Sequence, residues 1–238
     1  MDGSTDPRCG LSPGRATWPS RPALPSRGTV KAVNDPLAPL ADLPGVREAA
    51  DRAREALGAV HRHRTNRRGW PTTAAEASVR AARASASLDG GSTELPADGE
   101  LADPILTGAL RVGQALDGEA LGLIEATWSR APLQALARLH LLAASGLTED
   151  TEQLGRPRAD RGVGERLDAL SQLVTGGTEV PAPILAAVVH GELATLRPFG
   201  VADGVVARAA SRLVSVSTGL DPHNLGVPEV SWLRRPQA

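Results

Sequence analysis

The sequence predicts an all-α fold, and three observations carry that expectation. Apolar residues recur at three- and four-residue spacing along most of the chain. Those residues are chiefly alanine, leucine and valine. Of the 238 residues 41% are hydrophobic and only 2% aromatic, so close packing of helices through small side chains is the natural core. No segment alternates apolar and polar residues over the length of a strand, and no internal repeat is visible.

The elements follow in order. Residues 1–36 are rich in Pro, Gly, Ser and Arg and lack apolar periodicity, so they read as a disordered tail that buries too little surface to offset its ordering entropy. Cys9, Trp18 and Lys31 fall within it, Trp18 as an isolated exposed aromatic. Residues 37–238 read as one helical domain. The first helix is carried by Val46, Ala49, Ala50, Ala53, Leu57 and Val60. A second is expected over residues 72–91, with Thr73 and Glu76 as a capping box and Gly90-Gly91 as its stop. A polar loop to Glu100 separates it from helices at 104–116, 119–128, 132–144, 163–174 and 182–196. The last runs from Gly204 to Thr218, with Gly219 at its C-terminal end.

Composition excludes several classes. A formal net charge of -1 supplies no global basic field for nucleic acid. Cys9 is the sole cysteine, which rules out an internal disulfide and a cysteine zinc cluster. No apolar run approaches a membrane span of about 20 residues, and no apolar leader opens the chain. A cytoplasmic protein that binds neither membrane nor nucleic acid is therefore expected. A dinucleotide fold is excluded because no strand-like run precedes a glycine-rich turn. The basic run from His61 to Arg68 reads as cations ending a helix and entering a loop, rather than as a recognition helix. His140, within LARLHLLAA, reads as a half-buried histidine with its polar needs met, not as a ligand.

Chemistry concentrates in residues 190–214, HGELATLRPFGVADGVVARAASRLV. Pro198 stops one helix, and Gly200 and Gly204 permit a tight turn. The next helix begins near Gly204, so its free N–H groups and positive dipole end face the turn. Arg197 stands at one lip, and Arg208 and Arg212 lie one turn apart on the new helix. That combination suits a phosphate.

These residues resemble a known family. RPFGVADGVVAR, residues 197–208, overlays the Fic (Fido-fold) signature H-P-F-x-[DE]-G-N-G-R-x-x-R, retaining Pro198, Phe199, Gly204 and Arg208, with Asp203 in place of Asn. His190, Leu193 and Leu196 are similar to the H-x-x-F-x-x-I run before that signature. LHLL followed by Gly155-Arg-Pro-Arg158 is similar to the family's L-H segment and G-x-x-R turn. SASLDGG resembles its inhibitory motif [ST]-x-x-x-E-[GN] through Ser85, Asp89 and Gly90. The resemblance implies a helical domain related to enzymes that transfer AMP or another phosphate-containing group to protein hydroxyls, with ATP or another nucleotide as ligand. It implies that Gly204 and Arg208 belong to a phosphate-binding turn, opposed by a clamp of Ser85, Asp89 and Gly90, while Arg197 joins Arg208 as a phosphate ligand because arginine forks suit that geometry.

Departures from the pattern fall on the chemistry. The general-base position is Arg197, and a guanidinium cannot accept a proton near neutral pH. Losing a positioned base typically removes about 10²–10⁴-fold in rate. The Mg²⁺ position is Val201, which offers no oxygen, and the first anion-hole arginine is Val205. Asp89 is one methylene shorter than Glu. Asp203 is a substitute base only in the alternative of a divergent, active nucleotidyltransferase; otherwise it is expected to cap the helix. His190, two helical turns before Arg197, is expected to be structural. The leading expectation is a pseudoenzyme that binds a nucleotide or phosphate and acts as a binding or regulatory module toward a protein partner. A helical scaffold without a nucleotide site is the remaining alternative. The motif helix lies near the end of the chain, so packing from a second copy, a homo-oligomer, is a further expectation.

Overall fold

The computed structural model describes residues 35–96 and 101–235, so Cys9, Trp18, Lys31 and most of the expected tail lie outside the described residues. The described residues are all-helical and contain no strand. Their helices are α1 (Ala38–Ala41), α2 (Val46–Arg62), α3 (Asn66–Leu88), α4 (Pro104–Ala115), α5 (Gly118–Trp128), α6 (Pro132–Ala144), α7 (Val163–Gln172), α8 (Ala182–Leu196), α9 (Asp203–Ser217) and α10 (Pro228–Arg234). None is long and apolar enough to cross a membrane.

The centre is an α8–α9 hairpin, and α9 is buried from Val205 to Val214 on every side. Helices α3, α4, α5 and α6 pack around it, closing a core of Trp128, Leu136, Leu139, Val189, Leu193 and Leu213. Small residues set the spacing. A Cβ on Gly108 of α4 would overlap the Ala143 carbonyl of α6, so those two backbones touch directly. Caps fix several ends: Asp103 accepts from the Ile105 and Leu106 N–H groups before α4. Gly219, with φ 74°, donates to the Val216 carbonyl after α9.

Three expectations change. Helix α3 starts at Asn66, not at a Thr73 cap, and runs through Pro71. Thr73 Oγ1 instead donates to Asn66 Oδ1 at 2.7 Å, and Glu76 pairs with Arg80 along the helix surface. The basic run consequently spans two helices. Residues 63–65 form the link, and Arg67 and Arg68 belong to the first turn of α3, where the dipole gives no support to cations. The short α1 and α10 have no counterpart in the expectation. Asp35, expected in the tail, is anchored: its carboxylate accepts from the Leu37 and Glu179 N–H groups and the Thr178 hydroxyl.

Candidate functional site

The site is built where α8 ends and α9 begins. Arg197 caps α8 in the left-handed region, φ 47° and ψ 60°, with its N–H on the Leu193 carbonyl at 3.0 Å. Gly200 at φ 85° and Ala202 at φ 56° continue the turn, so two of its three left-handed positions carry side chains. Pro198 and Phe199 point inward, whereas Arg197 is exposed.

Two distant segments hold this turn. Phe199 stacks on the His140 ring, with centroids 4.1 Å apart and planes 6° from parallel. His140 Nδ1 accepts the Gly155 N–H at 2.9 Å, and burial holds the imidazole below its ordinary value, partly offset by the Val201 backbone. Arg158 then docks on the turn itself. Its N–H meets the Pro198 carbonyl at 2.7 Å, its Nε the Arg197 carbonyl at 2.9 Å and its Nη2 the Leu196 carbonyl at 3.1 Å. An arginine fork thus satisfies the last carbonyls of α8 and sits at the negative end of its dipole. Asp160 pairs with the other side of that guanidinium.

Asp203 differs from the expected cap. It is the first residue of α9, with Ala202 in the capping position, and its Oδ1 accepts the Phe199 N–H at 2.9 Å. The carboxylate therefore ties the turn back on itself. Burial raises its pKa, against the opposing pull of the Phe199 and Gly200 N–H groups and of Arg197 and Arg158.

The start of α9 meets the end of α3. Asp89 is the residue after α3, and its two oxygens divide between two donors. Oδ1 lies 2.7 Å from Arg208 Nη2, and Oδ2 accepts the Val205 N–H at 3.1 Å. A Cβ on Gly204 would overlap the Asp89 carboxylate, so a glycine is what leaves room for it. Arg208 is buried and also donates through Nε to Ser85 Oγ at 2.7 Å and through Nη2 to the Ser85 carbonyl at 2.9 Å. Gly90 follows at φ 87° and turns the chain away from α3. A carboxylate thus occupies the N-terminal end of α9, the end that favours anions.

Ser85, Asp89, Gly204 and Arg208 are therefore brought together. Arg197, Asp203 and Arg208 line one cavity of about 580 Å³, whose other walls include Ile105, Ala143, Leu147 and Val201. A Mg²⁺ ion does not fit what is present. Val201 has no side-chain oxygen, Asp203 has only its unpartnered Oδ2 to offer because Oδ1 accepts the Phe199 N–H, and among the described residues no group of three or more His, Cys, Asp or Glu could hold a metal.

A second region has no counterpart in the sequence expectations. His190 leaves the turn and stacks on Trp232 of α10, with centroids 4.6 Å apart, beside a groove of about 1180 Å³ that Arg212 and Asp221 also line. Burial, then the Arg208 charge, lowers the His190 pKa. Arg212 donates to Asn224 Oδ1 at 2.9 Å, and Glu229 of α10 is buried near both Arg212 and Arg208, with a pKa raised by burial. Asp221 accepts from the Leu225 and Gly226 N–H groups, and its Oδ1 lies 2.8 Å from His61 Nε2. The sequence signal for this region is thin: a Pro228 helix start in a seven-residue segment ending in Trp and Arg.

No family model, no curated protein and no solved structure matches this chain.

Proposed function

We propose that the turn between α8 and α9 is an anion site of Fic-like type, that it binds a nucleotide or another phosphate-bearing ligand, and that the protein works as a binding or regulatory module with impaired or lost transfer chemistry. The observation carrying this reading is the Asp89 carboxylate held between the Val205 N–H and Arg208. A helix N-terminus, an arginine fork and a glycine that leaves room for the oxygens together form a cradle for an oxyanion, and the protein's own side chain now fills it. Ligand binding then requires Asp89 to leave.

The residues around that cradle account for the lost chemistry. Arg197 stands where the resemblance puts a general base, and it carries no acceptor. Among the described residues Asp203 is the other acid on the cavity besides Asp89; its Oδ1 accepts the Phe199 N–H, and its Oδ2 is buried without a hydrogen-bond partner. Asp203, through that second oxygen, is the base that the alternative reading of a divergent, active transferase requires.

Calorimetric titration of ATP and AMP, with and without Mg²⁺, into the wild-type protein and Asp89→Ala tests the reading. Binding that strengthens on removal of Asp89 supports it. Metal-dependent transfer of a nucleotide label to protein would identify an active transferase instead, and no binding of any nucleotide, or of phenyl phosphate, to either protein would leave a helical scaffold for protein partners.

A further inference from the structure

We infer that the cavity beside Arg208 takes a compact oxyanion, a single carboxylate or phosphate group, on a short apolar body, bound without a metal ion. The inference rests on the anion-site reading above and narrows its ligand class. Three features of the cavity lead to it.

The first is the shape of the cradle. Asp89 fills it with two oxygens of one planar group, one on Arg208 Nη2 at 2.7 Å and one on the Val205 N–H at 3.1 Å. Any carboxylate, or any two oxygens of one phosphate, reproduces that pair of contacts. One group is enough to satisfy both donors, because the remaining Arg208 contacts are already made by Ser85.

The second is charge. The cavity carries two arginines, Arg197 and Arg208, and two acids, Asp89 and Asp203. Glu229, buried near Arg212 and Arg208, adds little to that balance, because burial pushes its pKa up and favours the neutral acid. Exchanging Asp89 for one oxyanion preserves this balance. A triphosphate adds several negative charges to a partly buried site that already holds Asp203, and uncompensated charge there is costly. A divalent cation would offset them, yet among the described residues Asp203 is the one cavity carboxylate left when Asp89 withdraws, and with Oδ1 on the Phe199 N–H it has a single oxygen, Oδ2, to offer, while the Val201 side chain has none.

The third is the wall opposite the cradle. Ile105, Ala143, Leu147 and Val201 present hydrocarbon to a space of about 580 Å³. That volume falls in the range of about 300–1,000 Å³ typical of small-molecule sites, and this hydrocarbon shares the lining with Asp89, Arg197, Asp203 and Arg208. A ring or short alkyl chain fills it while its oxyanion sits on Arg208.

The test uses the full chain with phenyl phosphate, benzoate, ATP and ATP with Mg²⁺ as probes, titrated into wild type, Asp89→Ala and Asp89→Asn. The asparagine variant keeps acceptor atoms near Val205 and Arg208 and serves if the alanine variant does not fold. Wild-type protein supplies a second reading through thermal upshift at millimolar probe, because every probe must displace Asp89 from the same two donors. The expected result is that phenyl phosphate or benzoate binds about tenfold or more tightly than ATP, that Mg²⁺ leaves this order unchanged, and that Arg208→Gln abolishes the binding. ATP binding more tightly than both small probes, or requiring Mg²⁺, would overturn the inference while leaving the anion site standing. Binding of no probe to any folded protein, or binding unchanged in Arg208→Gln, would overturn the anion site itself.

Discussion

Asp89 at the end of α3 and Arg208 in α9 form an ion pair at 2.7 Å, with side-chain exposures of 24% and 8%, and the same carboxylate accepts the Val205 N–H. One acidic side chain therefore joins the C-terminal end of one helix to the N-terminal end of another. It stands at the unfavourable pole of α3 and the favourable pole of α9, so the contact gains from the second helix what it loses at the first.

That pairing predicts a stability cost. Removing Asp89 leaves Arg208 buried with Ser85 as its one hydrogen-bond partner among the described residues. Asp89→Ala is expected to destabilise by about 1–3 kcal/mol, below the full cost of breaking a buried pair because Asp89 is partly hydrated. Asp89→Asn should lose less. Urea denaturation of the three proteins checks the order, and an unchanged midpoint for Asp89→Ala would mean that the pair carries no net stability.

Ala202 predicts a gain. It holds φ 56°, a region that costs a residue with a Cβ about 1–2 kcal/mol. Glycine relieves that strain and gives back part of the gain as unfolded-chain entropy. Ala202→Gly is expected to stabilise by about 0.5–1 kcal/mol, a rise of about 1–4 °C in Tm for a domain of this size. A lower Tm would show that the turn relies on the alanine side chain.

Arg158 predicts a loosened turn. Its side chain makes two contacts with the carbonyls of Leu196 and Arg197, each charge-assisted. Arg158→Ala is expected to cost about 1–3 kcal/mol and to speed amide exchange across residues 197–203. Arg158→Lys restores the charge but not the fork, so it should rescue only part of the loss. Full rescue by lysine would assign the effect to charge alone.

His190 predicts a slope with pH. Burial and the Arg208 charge hold its imidazole below the ordinary value, so the unfolded chain binds this proton more readily than the folded one. Its contribution is fully present above about pH 6.5 and is lost as pH falls below that value. Relative to wild type, His190→Gln should lose less stability on acidification from pH 8 to 5, by at most about 1.4 kcal/mol per pH unit. Urea curves across that range measure it, and parallel profiles would remove His190 from the account.

Much of the fold is legible in the sequence because alanine and leucine periodicity marks helices on its own. Helix α3 is the instructive exception. Its start was expected near the Thr73 cap, yet the segment is helical from Asn66 through Pro71, and its Asn66–Thr73 and Asn66–Val60 side-chain bonds are facts that no local pattern announces. Helix α10, with seven residues, is too short to show a period. The site divides the same way. Pro198, Gly204 and Arg208 stand out through local turn chemistry. The meeting of Asp89 with Arg208 was expected only through a resemblance between short motifs, and the bond from the Val205 N–H, 116 residues away, was not expected at all. The expected capping role of Asp203 failed because a carboxylate at a loop–helix junction has two sets of N–H groups within reach, and here the loop's Phe199 N–H is the one it bonds.

The central claim, that Arg208 and the start of α9 form an anion site which Asp89 now fills, is tested most directly by titrating AMP into wild type, Asp89→Ala and the double variant Asp89→Ala/Arg208→Gln at low salt. The account predicts weak binding to wild type, binding stronger by about tenfold or more without Asp89, and loss of that gain when Arg208 is also removed. Equal binding in all three proteins, or binding in none of them, would contradict it.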